Sequence, residues 1–299
     1  MTRLLLFCLT CAVAAAAEDP AKLGQECQKK KRKACESLVA LSRTSLDSDR
    51  LVAVIGKLDN QAALGALARE ALDSSVRAAA VSRLSDQSLL AEISRIEGDA
   101  EVLLAVLARL SDQAAIYDVT LGTPNQDVLA AAVERLSDQS LLATFAKAKG
   151  NRDLRRLAAS KIRDQAALED VAWNAGEPGA RVAAVDLLTD QAVLASIALD
   201  NSMDTVRRAA AEALHDQASL AKVAKSQADP LISGVAAAKL TDQAILADVA
   251  RSAQEWRVRA TAVAKLTDRA VLSAVAAEDR IENVRSAAVR RLEELRKTP

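Results

Sequence analysis

The segment Arg83–Ala91, R-L-S-D-Q-S-L-L-A, returns letter for letter at Arg135–Ala143, and its first five residues return at Arg109–Gln113. Looser copies centre on Asp164, Asp190, Asp216, Asp242 and Asp268, with Asn60 ahead of them and Glu294 behind. Every step is 26 residues, without insertion or deletion. A fixed period of roughly 20 to 50 residues restricts a chain to stacked supersecondary units, each too small to bury its own apolar face. No other feature of the sequence constrains the fold as strongly.

With the Asp of each copy as position 0, the apolar columns are strict. Position −2 is Leu or Ile throughout, from Leu58 through Leu136 and Ile162 to Leu292. Position +4 is Leu or Ile from Leu64 to Leu272, and position +7 is aliphatic or Phe from Leu67 to Val275. Upstream, apolar residues fall at −10, −6, −5 and −2, and downstream at +3, +4, +7 and +8. Both are helical stripes, not strand alternation. Each unit therefore reads as helix A (about −11 to −2), a tight turn and helix B (about +1 to +10). Helices this short are marginal alone, so stacking must stabilise them.

The turn reads S/T-D-Q. Its Asp suits the free N–H groups that open helix B and the positive end of the helix dipole. Gln recurs at +1 from Gln61 to Gln243, a pattern that fits caps and amide links between neighbouring turns better than a site. Position −6 is mostly Ala (Ala80, Ala132, Ala158, Ala184), which allows close helix contact, and only 2% of residues are aromatic. Arg is frequent at −9 (Arg77, Arg155, Arg181, Arg207, Arg259, Arg285), and Asp, Asn or Glu at +13, where helix A starts.

The pattern V-R-x-A-A-V-x-x-L-x-D-Q-x-x-L-x-x-I/V-A, over residues 35–297, resembles the short bacterial members of the HEAT-repeat superfamily. It is also similar to leucine-rich-repeat variants and to the HEAT-like repeats of phycobilisome-type lyases. The resemblance implies an all-α, right-handed α-solenoid (superhelix) of stacked two-helix HEAT-like repeats, used for binding, with helix B lining the concave side and an Asp–Arg ladder between units.

Residues 1–17 read as a signal peptide: Arg3, an apolar run Leu4–Val13, and Ala15-Ala16-Ala17 as an A-x-A cleavage site. A lipoprotein site at Cys11 is the weaker reading, because Cys8 stands where an aliphatic residue is wanted. The chain is thus expected to be exported, periplasmic or secreted. Removing that segment leaves 39 Lys and Arg against 40 Asp and Glu, so no global charge draws it to nucleic acid or to an anionic membrane. Residues 18–49 read as an N-terminal cap. Within it, Asp19-Pro20 and Gly24 suggest a loose start, and Lys29–Lys33 form a basic cluster that is either a solvated end or a docking patch. From Cys35 a lone helix B is expected. Residues 50–281 make nine repeats, and 282–299 a charged C-terminal capping helix.

Cys27 and Cys35 are the only cysteines after residue 17, and export favours a disulfide between them. On one continuous helix they would stand about 12 Å apart, so the chain must turn near Lys31–Lys33. Two cysteines and one histidine, His215 at a turn position, supply no metal set, and no cofactor is expected. Stacked helices about 8–10 Å apart keep the Asp column from sharing a metal or proton. No catalytic motif appears.

The expected function is a non-enzymatic scaffold for protein partners, acting as a monomer, without nucleic acid and without stable membrane insertion. The alternative is a lyase-type or accessory enzyme with a groove site. The outward side of helix B carries the candidate partner-binding residues. Position +9 holds Arg69, Arg95, Lys147, Trp173, Lys225 and Arg251, and position +5 holds Tyr117. Acids at +6 pair with them by spacing of three, as Glu92 with Arg95 and Asp248 with Arg251. Basic residues at −3 (Lys57, Arg83, Arg109, Arg135) suit the dipole of their own helix A.

Overall fold

The structure, a computed structural model, describes residues 19–44, 48–227 and 229–297. The expected signal peptide lies outside them. Among the described residues every regular element is an α-helix, as the repeat predicts. The chain divides into two compact units, one ending at Leu141 and one beginning at Leu142. The first contains α1 (Pro20–Gln28), α2 (Arg32–Ser42), α3 (Ser48–Ile55), α4 (Gln61–Glu70), α5 (Ser74–Arg83), α6 (Gln87–Ile96), α7 (Ala100–Arg109), α8 (Gln113–Gly122) and α9 (Gln126–Arg135). The boundary falls inside α10 (Gln139–Lys147). The second unit continues with α11 (Arg152–Lys161), α12 (Gln165–Asn174), α13 (Pro178–Val185), α14 (Gln191–Asp200), α15 (Asp204–Ala213), α16 (Gln217–Ala224), α17 (Pro230–Lys239), α18 (Gln243–Ser252), α19 (Trp256–Lys265), α20 (Arg269–Glu278) and α21 (Glu282–Lys297). Within each unit the A helices pack on neighbouring A helices, as α5 on α7 and α11 on α13, and B helices on neighbouring B helices, the arrangement of an α-solenoid.

Local chemistry sets the helix ends. Asp73, Asp99, Asn125, Asn151, Glu177, Asp229 and Glu255 cap A helices, each side chain accepting from an N–H of the first turn. The turn residues Asp86, Asp112, Asp164, Asp190, Asp216, Asp242 and Asp268 do the same for B helices. Helix A runs from −12 to −3, one residue earlier than its stripe suggests. The −2 residue is a C-cap with extended backbone, as at Leu84 (φ −71°, ψ 141°), and it plugs the core at 0% exposure. Burying each such Leu contributes about 1.5–3 kcal/mol. The Ala column at −6 is fully buried wherever it recurs.

Three ladders of polar side chains connect successive repeats inside each unit. In the first, the +1 Gln bridges to the next turn. Gln87 donates to the Arg109 carbonyl (3.1 Å) and accepts from the N–H of Ser111 (2.8 Å). Gln165 and Gln243 repeat this with Leu187 and Thr189, and with Lys265 and Thr267. In the second, the −3 cation reaches the carbonyls that end the preceding A helix: Arg109 to Leu84 (3.1 Å), Arg135 to Leu110 (2.7 Å), Arg291 to Leu266 (2.9 Å). These cations thus cap a neighbouring helix end as well as complementing their own dipole. In the third, the −9 Arg ties two links together. Arg77 donates to the carbonyls of Ala71 and Leu72 and forks onto Glu97 (2.8 and 3.2 Å). Arg259 does likewise with Ala253, Gln254 and Asp279. The acid of this ladder sits mostly at +11, as Glu97 and Asp279, and at +13 only in Asp229 with Arg207 (3.0 Å).

The N-terminal cap is more ordered than its sequence suggests. Asp19-Pro20 opens α1 as a helix N-cap and first residue, with Asp19 accepting from the Ala21 N–H (3.1 Å). Two helices therefore precede the nine pairs, not a lone helix B. Gly24 lets α1 lie on α3, since a Cβ there would meet Val54 Cγ1 at 2.2 Å. The chain reverses at Lys29–Lys31, with Lys30 at φ 59°, slightly earlier than the Lys31–Lys33 expected from the sequence. That reversal brings Cys27 and Cys35 to a Cα separation of 4.7 Å, and they form a disulfide. Intact mass of non-reduced protein beginning at residue 18, alkylated with iodoacetamide, is expected to show no adduct, and two adducts after reduction. Two adducts without reduction would contradict the bond.

Candidate functional site

The outward side of the B helices holds the residues nominated by the sequence, and the structure re-pairs them. Arg69 lies 3.5 Å from Glu92, Arg95 3.4 Å from Asp118, and Lys225 2.8 Å from Asp248. Arg43 meets Glu70, and Lys147 meets Asp170, in the same fashion. Except for Glu70, the acid is the +6 residue of the following repeat, 23 positions away, not the +6 residue of the same helix. The expected intrahelical pairs Glu92–Arg95 and Asp248–Arg251 are thus not the ion pairs of the structure. The reason is geometric: a repeat spacing near 10 Å lies within reach of an Arg or Lys meeting a carboxylate, and a +9 cation lying across the stack finds that partner first.

Arg251 differs, because the +6 residue of the next repeat is Ala274 and supplies no acid. Its charge reaches Asp248 only weakly. Asp170 is held below the usual carboxylate range by the Lys147 hydrogen bond and then by Asn174, and Asp248 is lowered chiefly by Lys225. These pairs are half-exposed, so each contributes roughly 0.2–1 kcal/mol and is screened by salt. Tyr117 and Trp173, beside this row, are half-buried.

Three exposed aliphatic side chains, Leu72, Ile96 and Leu121, lie at the helix B ends and links of successive repeats in the first unit, at 62%, 66% and 70% exposure. The sequence did not single them out, since they fall at three different positions, +12, +10 and +9, and Leu121 interrupts a +9 column nominated for its cations. Leu121 and Arg95 both line a shallow cleft of about 300 Å³ with Asp118 and Thr123. A second cleft, of about 830 Å³, opens on the A side of the last repeats, lined by Trp256, Ala260, Ala264, Ser286, Ala287 and Arg290. Trp256 there stacks with the Arg257 guanidinium at 4.8 Å. This surface also escaped the sequence reading, which placed outward chemistry on helix B.

His215 lies exposed in its turn, and only its backbone N–H is used, donating to Gln191 Oε1 (2.8 Å). Among the described residues no three His, Cys, Asp or Glu side chains gather as a metal site would require, and no helix is long and apolar enough to cross a membrane. No protein-family model matches the chain, and no curated protein matches it.

Proposed function

We propose that the protein is an exported scaffold that binds a protein partner along its B helices, in the manner of HEAT-like repeats, and performs no chemistry of its own. The observation that supports this reading is the row itself. Within each unit, successive repeats offer the same few outward positions, and the cross-repeat ion pairs hold their cations in place before any partner arrives. Pre-ordered side chains lose less entropy on binding, and a row over many repeats suits a long partner with many weak contacts. Tyr117 and Trp173 add half-buried aromatics, the residue types that anchor interfaces. Export rests on the A-x-A segment and accords with the disulfide.

An alanine scan down +5, +6 and +9, read against a partner captured from cell-envelope extract, tests the proposal. Arg95→Ala, Lys147→Ala and Arg251→Ala are each expected to weaken binding by about 0.5–1.5 kcal/mol, Trp173→Ala by more, with additive effects at separated repeats. Arg251→Ala is the cleanest of these, because it breaks no cross-repeat pair. An enzyme would respond at one or two positions and stay silent elsewhere. A flat scan would remove the B-helix row as the binding surface.

A further inference from the structure

Charge is unevenly placed in this near-neutral chain. Residues 19–57 carry nine Lys or Arg against five Asp or Glu, and five of the nine are consecutive, Lys29–Lys33. Lys29–Lys31 form the turn between α1 and α2, and Arg32 and Lys33 open α2. The Cys27–Cys35 disulfide closes the hairpin beneath them. Gln28 locks it to the first repeat, donating to Asp59 Oδ2 (2.9 Å) and accepting from the Asp59 N–H (2.8 Å). Lys31 is paired with Glu26 (3.3 Å) and Arg32 with Glu36 (2.7 Å). Lys29, Lys30 and Lys33 are exposed and meet no carboxylate among the described residues.

Apart from the Lys31–Glu26 and Arg32–Glu36 pairs, no acid among the described residues offsets the cluster. Neighbouring like charges repel, and they sit at the positive end of α2, whose N-cap Lys31 provides no side-chain cap. Most other helix starts carry Asp, Asn or Glu. The turn therefore projects a rigid patch of uncompensated positive potential.

Beside it, between α2 and α4, lies a cleft of about 550 Å³. Lys30, Arg32 and Arg43 stand on its rim, and Val39, Ala62 and Ala66 line it with small apolar surface. Its two acids are already neutralised, Glu36 by Arg32 and Glu70 by Arg43. A polypeptide fits such a slot, whereas a flat bilayer would touch only the rim. Among the described residues of this end of the chain no large apolar side chain is exposed, the kind that a helix inserts into lipid.

We propose that this N-terminal hairpin is the docking point for an acidic polypeptide segment of the partner, its carboxylates on Lys29, Lys30 and Lys33 and its chain in the α2/α4 cleft. The cleft begins the B-helix row, so the proposal rests on the scaffold reading and adds the partner's chemistry and the end at which it docks.

The test uses the full exported chain with its disulfide intact and a fluorescein-labelled peptide of alternating Glu and Ala, followed by anisotropy. Wild type is expected to bind, with affinity falling several-fold between about 50 and 200 mM salt. The variant Lys29→Glu/Lys30→Asn/Lys33→Glu is expected to lose at least about tenfold, where Asn at position 30 tolerates the positive φ. An unchanged thermal melt establishes that the loss is not unfolding. His215→Ser, which belongs neither to the hairpin nor to the +9 row, is expected to bind this peptide as wild type does. The proposal is overturned if wild type ignores the peptide at low salt, if the triple variant binds equally, or if phosphatidylglycerol vesicles compete the peptide away. Any of those results would leave the alanine scan of the B-helix row to decide the scaffold reading separately.

Discussion

Leu136→Asp is expected to destabilise the protein by about 3–5 kcal/mol, the size of effect produced by an unpaired charge in a core. Leu136 is 1% exposed and sits at the extended C-cap of α9 (φ −66°, ψ 133°), so its side chain points into the stack instead of along a helix surface. A carboxylate there either loses its hydration or forces the turn open. Because each repeat is stabilised by its neighbours, the loss is expected to spread over adjacent repeats and to lower the urea midpoint of the whole transition. His215→Ser is the matched control. Only the backbone N–H of His215 is used, and Ser or Thr fills that column in most repeats, so a change within about 0.5 kcal/mol is expected. Equal damage from the two substitutions would show that the repeat register is misplaced.

Asp279→Ala is expected to cost a similar amount, about 3–5 kcal/mol, by the opposite route: it strands a buried cation. The side chains of Arg259 and Asp279 are 4% and 8% exposed and meet through a fork of 2.7 and 3.0 Å. Asp279 also accepts from the Ile281 N–H (2.8 Å), so its loss loosens the start of α21. Replacing both partners, Arg259→Met with Asp279→Ala, is expected to recover part of the loss, because the desolvated charge is then gone. If the double variant were as unstable as the sum of the singles, the pair would not be coupled and the account would fail.

The same carboxylate predicts a pH dependence. Burial pushes Asp279 up, but the Arg259 hydrogen bonds and the Ile281 N–H outweigh it, and the group is held below its ordinary value of 3.8. Glu97 and Asp229 are lowered against burial in the same way, by Arg77 and Arg207. A depressed folded-state pKa means the unfolded chain takes up protons first as pH falls. The stability is therefore complete above about pH 5 and is lost as pH drops below about 4 through the folded values. Wild type is expected to lose urea resistance steeply there, and Asp279→Ala less steeply.

Helix A, the turn and helix B were legible because the repeat presents each signal nine times, so accident at one position is outvoted by the column. The Asp caps, the buried −2, +4 and +7 columns and the small −6 residue all follow from propensity and burial acting locally. Where a signal occurs once, the reading was weaker. Asp19-Pro20 looked like a break, yet the same two residues are a good N-cap and first turn, and packing of α1 through Gly24 onto α3 decided between them. The aliphatic edge at Leu72, Ile96 and Leu121 is spread over three different positions of the repeat, so no column marks it, and the cleft at Trp256 lies in variable positions, where periodicity carries no information.

The period, the register, the Asp caps and the identity of the buried columns were determined by the sequence alone, since the repeat prints each of these local signals nine times. Which charges meet was decided only by the tertiary structure. Arg95 has a +6 acid three residues back, Glu92, and another 23 residues on, Asp118, and the chain chooses the second. Glu92 is left for Arg69 of the repeat before. On the sequence both partners lie on the same helical face, and only the distance between stacked helices and the reach of each side chain rank them. The same holds for Arg259, whose acid lies 20 residues away at the far link, where stacking has removed the water that would otherwise compete for it.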